Sequence, residues 1–552
     1  MMPQISRLDG FWDFEFRSDD SAMPSDYTEQ APVPGCFDAL DRHALRRGVG
    51  YYRRFFETDG RAHYRLTLGG VAHHAVVYLD GQRVATHDGA FTSFSVDLPA
   101  LDAGRHELIV SADNRFDGLA RSLHMDHFDW YSYGGIIRPV SLRSWSQVLI
   151  ERVVPVTEDW RNGRVRIEVD FRADLASPRP LPAEIFVDDN SVYRGTTKPG
   201  ATAAAFIVDV PNPRPWSPDS PVLYVLTVRI GDAEQTVDLG LRTIRSEGHR
   251  ILLNDEPVRI RGVNRHESHV AFGFALPEHV ILGDVQQIKD LGCNFVRTSH
   301  YPQDPRFISL CDRMGLMVWC EVTGWGYSEA MMKDKRLVEA QRACTTEMIR
   351  QYAHHPSIVC WGILNECASD AESARPVYEE MVALVRSMDP DRPVTYASNR
   401  FPDGHTNPHG DIMFDLVDWV CINAYPGWYG GDLNDCLERL ETIAQAIRDR
   451  KLDEKPVVIS EIGAGAIPGF EDIRPVKWSA WYQQELLQKL STAIRDDPTW
   501  SGLCIWQFCD IRTAESNWMT RPRGYNNKGI MDELRRPKPA YRAIREIYHT
   551  DW

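Results

Sequence analysis

The sequence predicts a multidomain chain: two β-sandwiches followed by a (β/α)8 barrel. Three observations carry that prediction. At 552 residues the chain exceeds what one hydrophobic core supports, so it must divide. Up to about residue 244, apolar and polar residues alternate over short runs broken by turn residues, the period of strands packed on one face. From residue 245 onward, apolar segments of strand length alternate with amphipathic segments of helical period.

The first domain is expected over 1–145. Its signature is the run Ala75-Val76-Val77-Tyr78-Leu79, the turn pair Asp80-Gly81, and the return through Arg83-Val84-Ala85. Asp-Gly between two such runs signals a hairpin. The second domain, over 146–244, repeats the style, with Val165, Ile167, Val169 and Phe171 alternating with polar neighbours and a Pro-rich stretch at 211–221 before another run at 222–230. The third, over 245–552, offers eight strand candidates at 258–261, 294–297, 316–321, 358–365, 394–397, 419–423, 457–461 and 503–506. Helical segments at 277–291, 336–353, 373–388, 433–450 and 478–496 separate most of them. Strand interiors pack the core of such a barrel, and the strands' C-terminal ends face its active site.

Composition narrows the partners. A net charge of −16 disfavours nucleic acid and anionic membrane surfaces. The start of the chain lacks a basic segment followed by an apolar one, and no run of about 18 apolar residues occurs, so the expected location is cytoplasmic. The cysteine count of 11 is odd, and several cysteines sit in apolar runs as small buried hydrophobes. No CxxC, HExxH or His/Cys cluster appears, so no metal and no cofactor are expected.

Two strand ends stand out. The fourth closes on Asn365-Glu366 and the seventh on Ser460-Glu461. A carboxylate at an apolar strand end is costly to desolvate unless paired or functional. One alone is commonly a structural ion pair; two at one barrel mouth point to catalysis. Paired carboxylates across a cleft are what glycoside hydrolysis requires, and a separation of about 5–5.5 Å implies retention of configuration.

In order along the chain, LDGFWDFEF (8–16), SYGGIIRPV (132–140), WSPDSPVLY (216–224), RGVNRHE (261–267), RTSHYP (297–302), GILNE (362–366) and SEIG (460–463) resemble glycoside hydrolase family 2. That group contains β-galactosidases, β-glucuronidases and β-mannosidases. The resemblance implies a jelly-roll sugar-binding domain, an immunoglobulin-like domain and the barrel. It also implies Glu366 as acid/base, Glu461 as nucleophile, and Asn365 on the sugar 2-hydroxyl. Relatives of this kind are often dimers or tetramers, so a homo-oligomer is expected.

The loop after the eighth strand, RPRGYNNKG (521–529), is locally basic in an acidic chain. In extended chain Asn526 and Lys528 point to one side and suit a sugar carboxylate; on composition alone the stretch also reads as a solvated charged loop. It resembles the Asn-x-Lys element by which β-glucuronidases recognise a uronic acid. NAYPGWY (423–429) resembles a second glucuronidase segment, which implies Tyr425 on the nucleophile and Tyr429 on the sugar. The same matching implies that Asp129 reaches the site and agrees with Trp506, an aromatic at a strand end, as the floor under the sugar ring; His300, after the second strand, reads either as a donor to a sugar hydroxyl or the Glu network or as a structural histidine.

The magnesium-binding run of galactosidases has no counterpart after Glu321. Three departures from the glucuronidase spelling leave C4 open. Pro522 replaces an arginine, with Arg521 or Arg523 as substitutes; Asn264 is galactosidase-like; and Ala424 and Pro426 differ. The expected activity is a retaining exo-β-glucuronidase, with β-galacturonidase as the alternative. β-Galactosidase, β-mannosidase or a non-catalytic glycan-binding protein are the remaining rivals. The short 322–335 connection predicts an open site that takes the non-reducing end of a β-uronide oligosaccharide or a small glycoside.

Overall fold

The computed structural model describes residues 4–552 apart from 20, 21, 40, 61, 62, 117–122, 127, 175, 176 and 402–409. The chain falls into two units, one holding the β-sheets up to Thr243 and the other holding the barrel together with Phe116–Ser132.

In the first unit, alternation does what it predicts. The hairpin strands His74–Leu79 and Gln82–Asp88 join through Asp80 and Gly81, both at positive φ (47° and 79°), the backbone that a tight two-residue turn needs. A six-stranded and a four-stranded antiparallel sheet enclose a core that includes Trp12, Phe14, Tyr52, Leu66, Val77 and Val110. Farther along, a three-stranded and a four-stranded sheet enclose a second core. Within Arg164–Ala173 the residues Val165, Ile167, Val169 and Phe171 face it. Each core is the filling between two sheets.

The second unit opens with a three-stranded sheet, Ile244–Glu247, Arg250–Leu253 and Glu256–Val258. Val258 therefore belongs to this sheet rather than to the barrel. The apolar run reads straight through, and only the change of pairing partner at Ile260, whose N–H bonds Ser501 O at 2.9 Å, marks the border.

The barrel strands are β1 (Ile260–Asn264), β2 (Phe295–Arg297), β3 (Met317–Glu321), β4 (Ile358–Asn365), β5 (Val394–Ser398), β6 (Val420–Asn423), β7 (Val457–Ile462) and β8 (Gly502–Ile505). They pair in parallel in that order, and β8 closes on β1. β4 is buried along its whole length, as expected of a parallel strand covered on both faces.

The long helices are α1 (Glu278–Asp290), α2 (Pro305–Met314), α3 (Lys335–Tyr352), α4 (Arg375–Met388), α5 (Cys436–Asp449), α6 (Ala480–Asp496) and α7 (Pro539–Tyr548). Periodicity did not single out α2 or α7, which are only 10 residues each. The local signals of α2 were present: Asp304 caps its start by accepting from Arg306 N, and Gly315 ends it at φ 75°. Between β5 and β6 the described residues hold the 3-10 turn Phe414–Leu416 where a barrel would place a helix.

Inside the barrel, Gly362 on β4 leaves room for the Trp319 indole of β3, and a Cβ there would run into its Nε1. That indole lies under the Arg297 guanidinium, 4.7 Å from its ring centroid. Gly362→Ala is therefore expected to destabilise the barrel by about 1–3 kcal/mol through overpacking. A fall in the thermal midpoint of the variant checks it.

Candidate active site

At the end of β4 the chain turns abruptly. Glu366 has φ 53°, a left-handed conformation costly for a residue with a side chain, and its N–H is held by Ala397 O of β5 at 2.8 Å. The turn delivers the carboxylate to the mouth of the barrel. Its Oε1 accepts from Asn423 Nδ2 at 2.7 Å. Asn365 stays in the wall, its Oδ1 accepting from Arg297 Nη2 at 2.7 Å and from Asn423 Nδ2 at 3.1 Å. Its own Nδ2 is buried and has no partner among the described residues.

Glu461, near the end of β7, is held from both sides. Arg297 Nη1 donates to Oε1 at 2.9 Å, and the Tyr425 hydroxyl donates to Oε2 at 2.6 Å. Arg297 is wholly buried and also grips Glu321 at the end of β3, Nε to Oε2 at 2.7 Å and Nη2 to Oε1 at 3.0 Å. His300 Nδ1 donates to Glu321 Oε1 at 2.8 Å, and its ring stacks on Trp506 with centroids 5.0 Å apart.

The electrostatics separate the two carboxylates at the mouth. Burial raises both, but Arg297 and the Tyr425 hydroxyl pull Glu461 back toward its ionised form. Burial and the charge of Glu461 push Glu366 up to about 7, against the hydrogen bond from Asn423. His300 is driven well below the ordinary histidine value by burial and by Arg297, so it is neutral.

Asp129, His300, Glu366, Tyr425, Tyr429, Glu461, Trp506, Arg521 and Lys528 line one cavity of about 550 Å3. Asp129 sits on the 116–132 segment, which the loop after β8 anchors: Arg512 O accepts from Tyr131 N at 2.8 Å, and Asn517 Nδ2 donates to Phe128 O at 3.2 Å. Lys528 is 2% exposed, its ammonium 2.8 Å from the Tyr429 hydroxyl and above the Tyr425 and Tyr429 rings. Among the described residues no carboxylate pairs with it.

Two of the expected residues are not among those that line the cavity. Asn526 is one of them. The extended run covers only Tyr525–Asn526, so the alternation that would align it with Lys528 stops there. Its Nδ2 donates to Asp129 Oδ2 at 2.6 Å and its Oδ1 accepts from Lys528 N at 3.2 Å. Arg523 also lies away, because φ 64° at this residue redirects it to Glu533, 2.7 Å distant. Arg521 is the arginine that stays, 2.7 Å from Asp129 Oδ1.

The sequence reading missed Arg297 and Asn423 as site residues. Both carried its own signal, a polar group ending an apolar strand: Phe-Val-Arg closes β2 and Val-Cys-Ile-Asn closes β6. Among the described residues no group of three His, Cys, Asp or Glu side chains is disposed to hold a metal, and no helix is long and apolar enough to cross a membrane.

A closed parallel barrel with two carboxylates at its mouth defines a class of glycoside-cleaving enzymes, and comparison with known proteins agrees. The model of the glycosyl hydrolases family 2 TIM barrel domain matches residues 244–550, and that of glycosyl hydrolases family 2 matches residues 150–242. The chain belongs to glycosyl hydrolases family 2 and is a glycoside hydrolase. It is 36% identical to a GH2 beta-galacturonidase from Eisenbergiella tayi solved bound to galacturonate, with a TM-score of 0.93 over 100% of this chain and 98% of that one. A Faecalibacterium prausnitzii beta-glucuronidase structure is 28% identical, with a TM-score of 0.88 over 99% of this chain and 97% of that one. The Streptococcus agalactiae beta-glucuronidase is 28% identical over 98% of this chain and 96% of its own length.

Since the charge of Glu461 helps hold the Glu366 pKa up, Glu461→Gln is expected to lower it from about 7. Isotope-edited infrared titration of the Glu366 carboxyl reads the shift directly.

Proposed function

We propose that the protein is a retaining exo-glycosidase of terminal β-D-uronides, glucuronides in the first place. One observation carries the substrate class. The Lys528 ammonium is buried at the wall of the cavity that holds Glu366 and Glu461, and it meets two tyrosines but no carboxylate among the described residues. A buried cation without a counter-ion is costly, and a uronate supplies one.

In the first half-reaction Glu461, ionised beside Arg297, attacks the anomeric carbon while protonated Glu366 delivers its proton to the departing oxygen. The bond to Glu461 consumes that residue's negative charge, which removes one cause of the raised Glu366 pKa. Glu366 then takes the proton of the incoming water as the glycosyl–Glu461 bond breaks. The unpartnered Asn365 Nδ2 is a donor for the sugar 2-hydroxyl, Trp506 is the floor under the ring, and Asp129 with Arg521 faces the ring hydroxyls. We also place the protein in the cytoplasm, a reading supported by its 11 cysteines, all buried.

A second reading, preference for the galacturonide, is favoured by a specific observation. Identity to the Eisenbergiella tayi beta-galacturonidase structures is 36% and 37%, against 28% for the Streptococcus agalactiae beta-glucuronidase. Side-by-side kcat/KM on 4-nitrophenyl β-glucuronide, β-galacturonide and β-galactoside separates the readings. Both uronides are expected to outrun the galactoside, and an equal or faster galactoside rejects the uronidase assignment.

Two further outcomes follow from the roles. Lys528→Ala removes a hydrogen-bonded charge partner worth roughly 1.5–3 kcal/mol, so kcat/KM on the uronide falls by about 10- to 150-fold in steady-state assays. Because Glu366 must carry its proton in the free enzyme, kcat/KM is present below its pKa and declines as pH rises through about 7. Protonation of Glu461 sets the acid limb. A pH–rate profile measures both limbs, and a profile that stays flat from about one unit below that pKa to about two units above it contradicts Glu366 as the acid.

A further inference from the structure

The turn that carries Lys528 is held by three buried side chains, none of which lines the cavity. Lys538, which immediately precedes α7, donates from Nζ to Asp510 Oδ1 at 2.8 Å, to Ala466 O at 2.8 Å and to Asn527 O at 3.1 Å. Asp510 Oδ1 also accepts from Gly529 N at 2.9 Å. From α6, Gln483 Nε2 donates to Gly529 O at 3.0 Å and to Lys528 O at 3.3 Å. These three side chains come from separate parts of the fold and converge on the peptide groups of 527–529.

The pairing is expensive for what it does to stability. A buried ion pair gains little over apolar residues of the same volume, because both charges must leave water. Asp510 feels this, its pKa pushed up to about 7 by burial against the pull of Lys538. What charged groups supply here is direction: each aims at fixed peptide atoms of one turn. Lys528 itself is a flexible four-carbon stem with a point charge, so the place of its ammonium depends on the backbone from which it starts.

We propose that Lys538, Asp510 and Gln483 are positioning residues for uronate specificity: they lock the 527–529 turn so that the Lys528 ammonium meets the sugar carboxylate. The inference rests on the reading of Lys528 as the carboxylate-binding group. A misplacement of about 1 Å in a positioning element costs as much as roughly a hundredfold in rate, so loosening the turn is felt chiefly through Lys528, whose ammonium is the turn's own side chain in the cavity.

A double-mutant cycle on the purified full chain, read on 4-nitrophenyl β-glucuronide and β-galacturonide, tests it. Lys538→Met is expected to raise KM roughly tenfold. Lys528→Ala/Lys538→Met is expected to match Lys528→Ala alone within about twofold, because a turn without its ammonium has nothing left to aim. Losses that multiply in the double variant signify a merely structural Lys538 and overturn the proposal, as does an unchanged KM in Lys538→Met. Should Lys538→Met not fold, Gln483→Leu enters the same cycle with the same two expectations. A Lys528→Ala chain that hydrolyses both uronides as well as the parent overturns instead the reading of Lys528, and it shows in that single variant.

Discussion

The site depends on one buried guanidinium. Arg297 lies at the centre of the barrel mouth with Glu321, Glu461 and Asn365 all on its donors. Without it, Glu321 and Glu461 would be two buried carboxylates without a cation, and unpairing a buried charge typically costs about 3–5 kcal/mol. Two like charges about 4 Å apart repel by about 4 kcal/mol at an effective dielectric near 20. Desolvation alone would then neutralise Glu461. Arg297 thus fixes the geometry of three strand ends and the protonation of one of them, and a fork with five fixed donors can do both at once.

A second cation is treated in the opposite way. Lys528 is as buried as Arg297 but is left facing two tyrosines. The two differ in what the fold asks of them. Arg297 is satisfied by the protein and leaves no donor to spare for a ligand, so its partners are organised before substrate arrives. Lys528 is satisfied only in part, and under the proposed function that shortfall drives the binding of an anion. The neighbouring Asp129 is already spoken for by Arg521 and Asn526, which keeps a nearby carboxylate from claiming the ammonium.

Much of this was legible in the sequence because the barrel's grammar is local. Buried parallel strands are continuous apolar runs, so a Glu, Asn or Arg at the end of one is conspicuous; that rule reaches Glu366 and Glu461 and would equally have reached Arg297 and Asn423. The border at Val258 was illegible, since an apolar run does not announce a change of hydrogen-bonding partner. The fates of Asn526 and Arg523 were illegible for another reason. Both depend on loop backbone, a two-residue strand in one case and a left-handed residue in the other, and periodicity arguments need an element longer than that. The dependence of Lys528 on Lys538 and Gln483 was hidden by distance along the chain: residues 10 and 45 positions away meet only after α6 and α7 have packed.

The two cations also bear on one another through the substrate. A uronate carries its own negative charge into a cavity where the Glu366 pKa is already raised by burial and by Glu461. Placed there without compensation, it would push both carboxylates toward their neutral forms, which protects the proton on Glu366 but weakens Glu461 as an attacking group. An ammonium bound to the uronate cancels most of that field at the distance of the reacting carbon. On this view Lys528 acts twice, once as the group that recognises the acid and once as the counter-charge that lets an anionic sugar be cleaved by an anionic nucleophile. A neutral glycoside needs neither service, so under the proposed function Lys528 favours a uronide over a neutral sugar in this cavity.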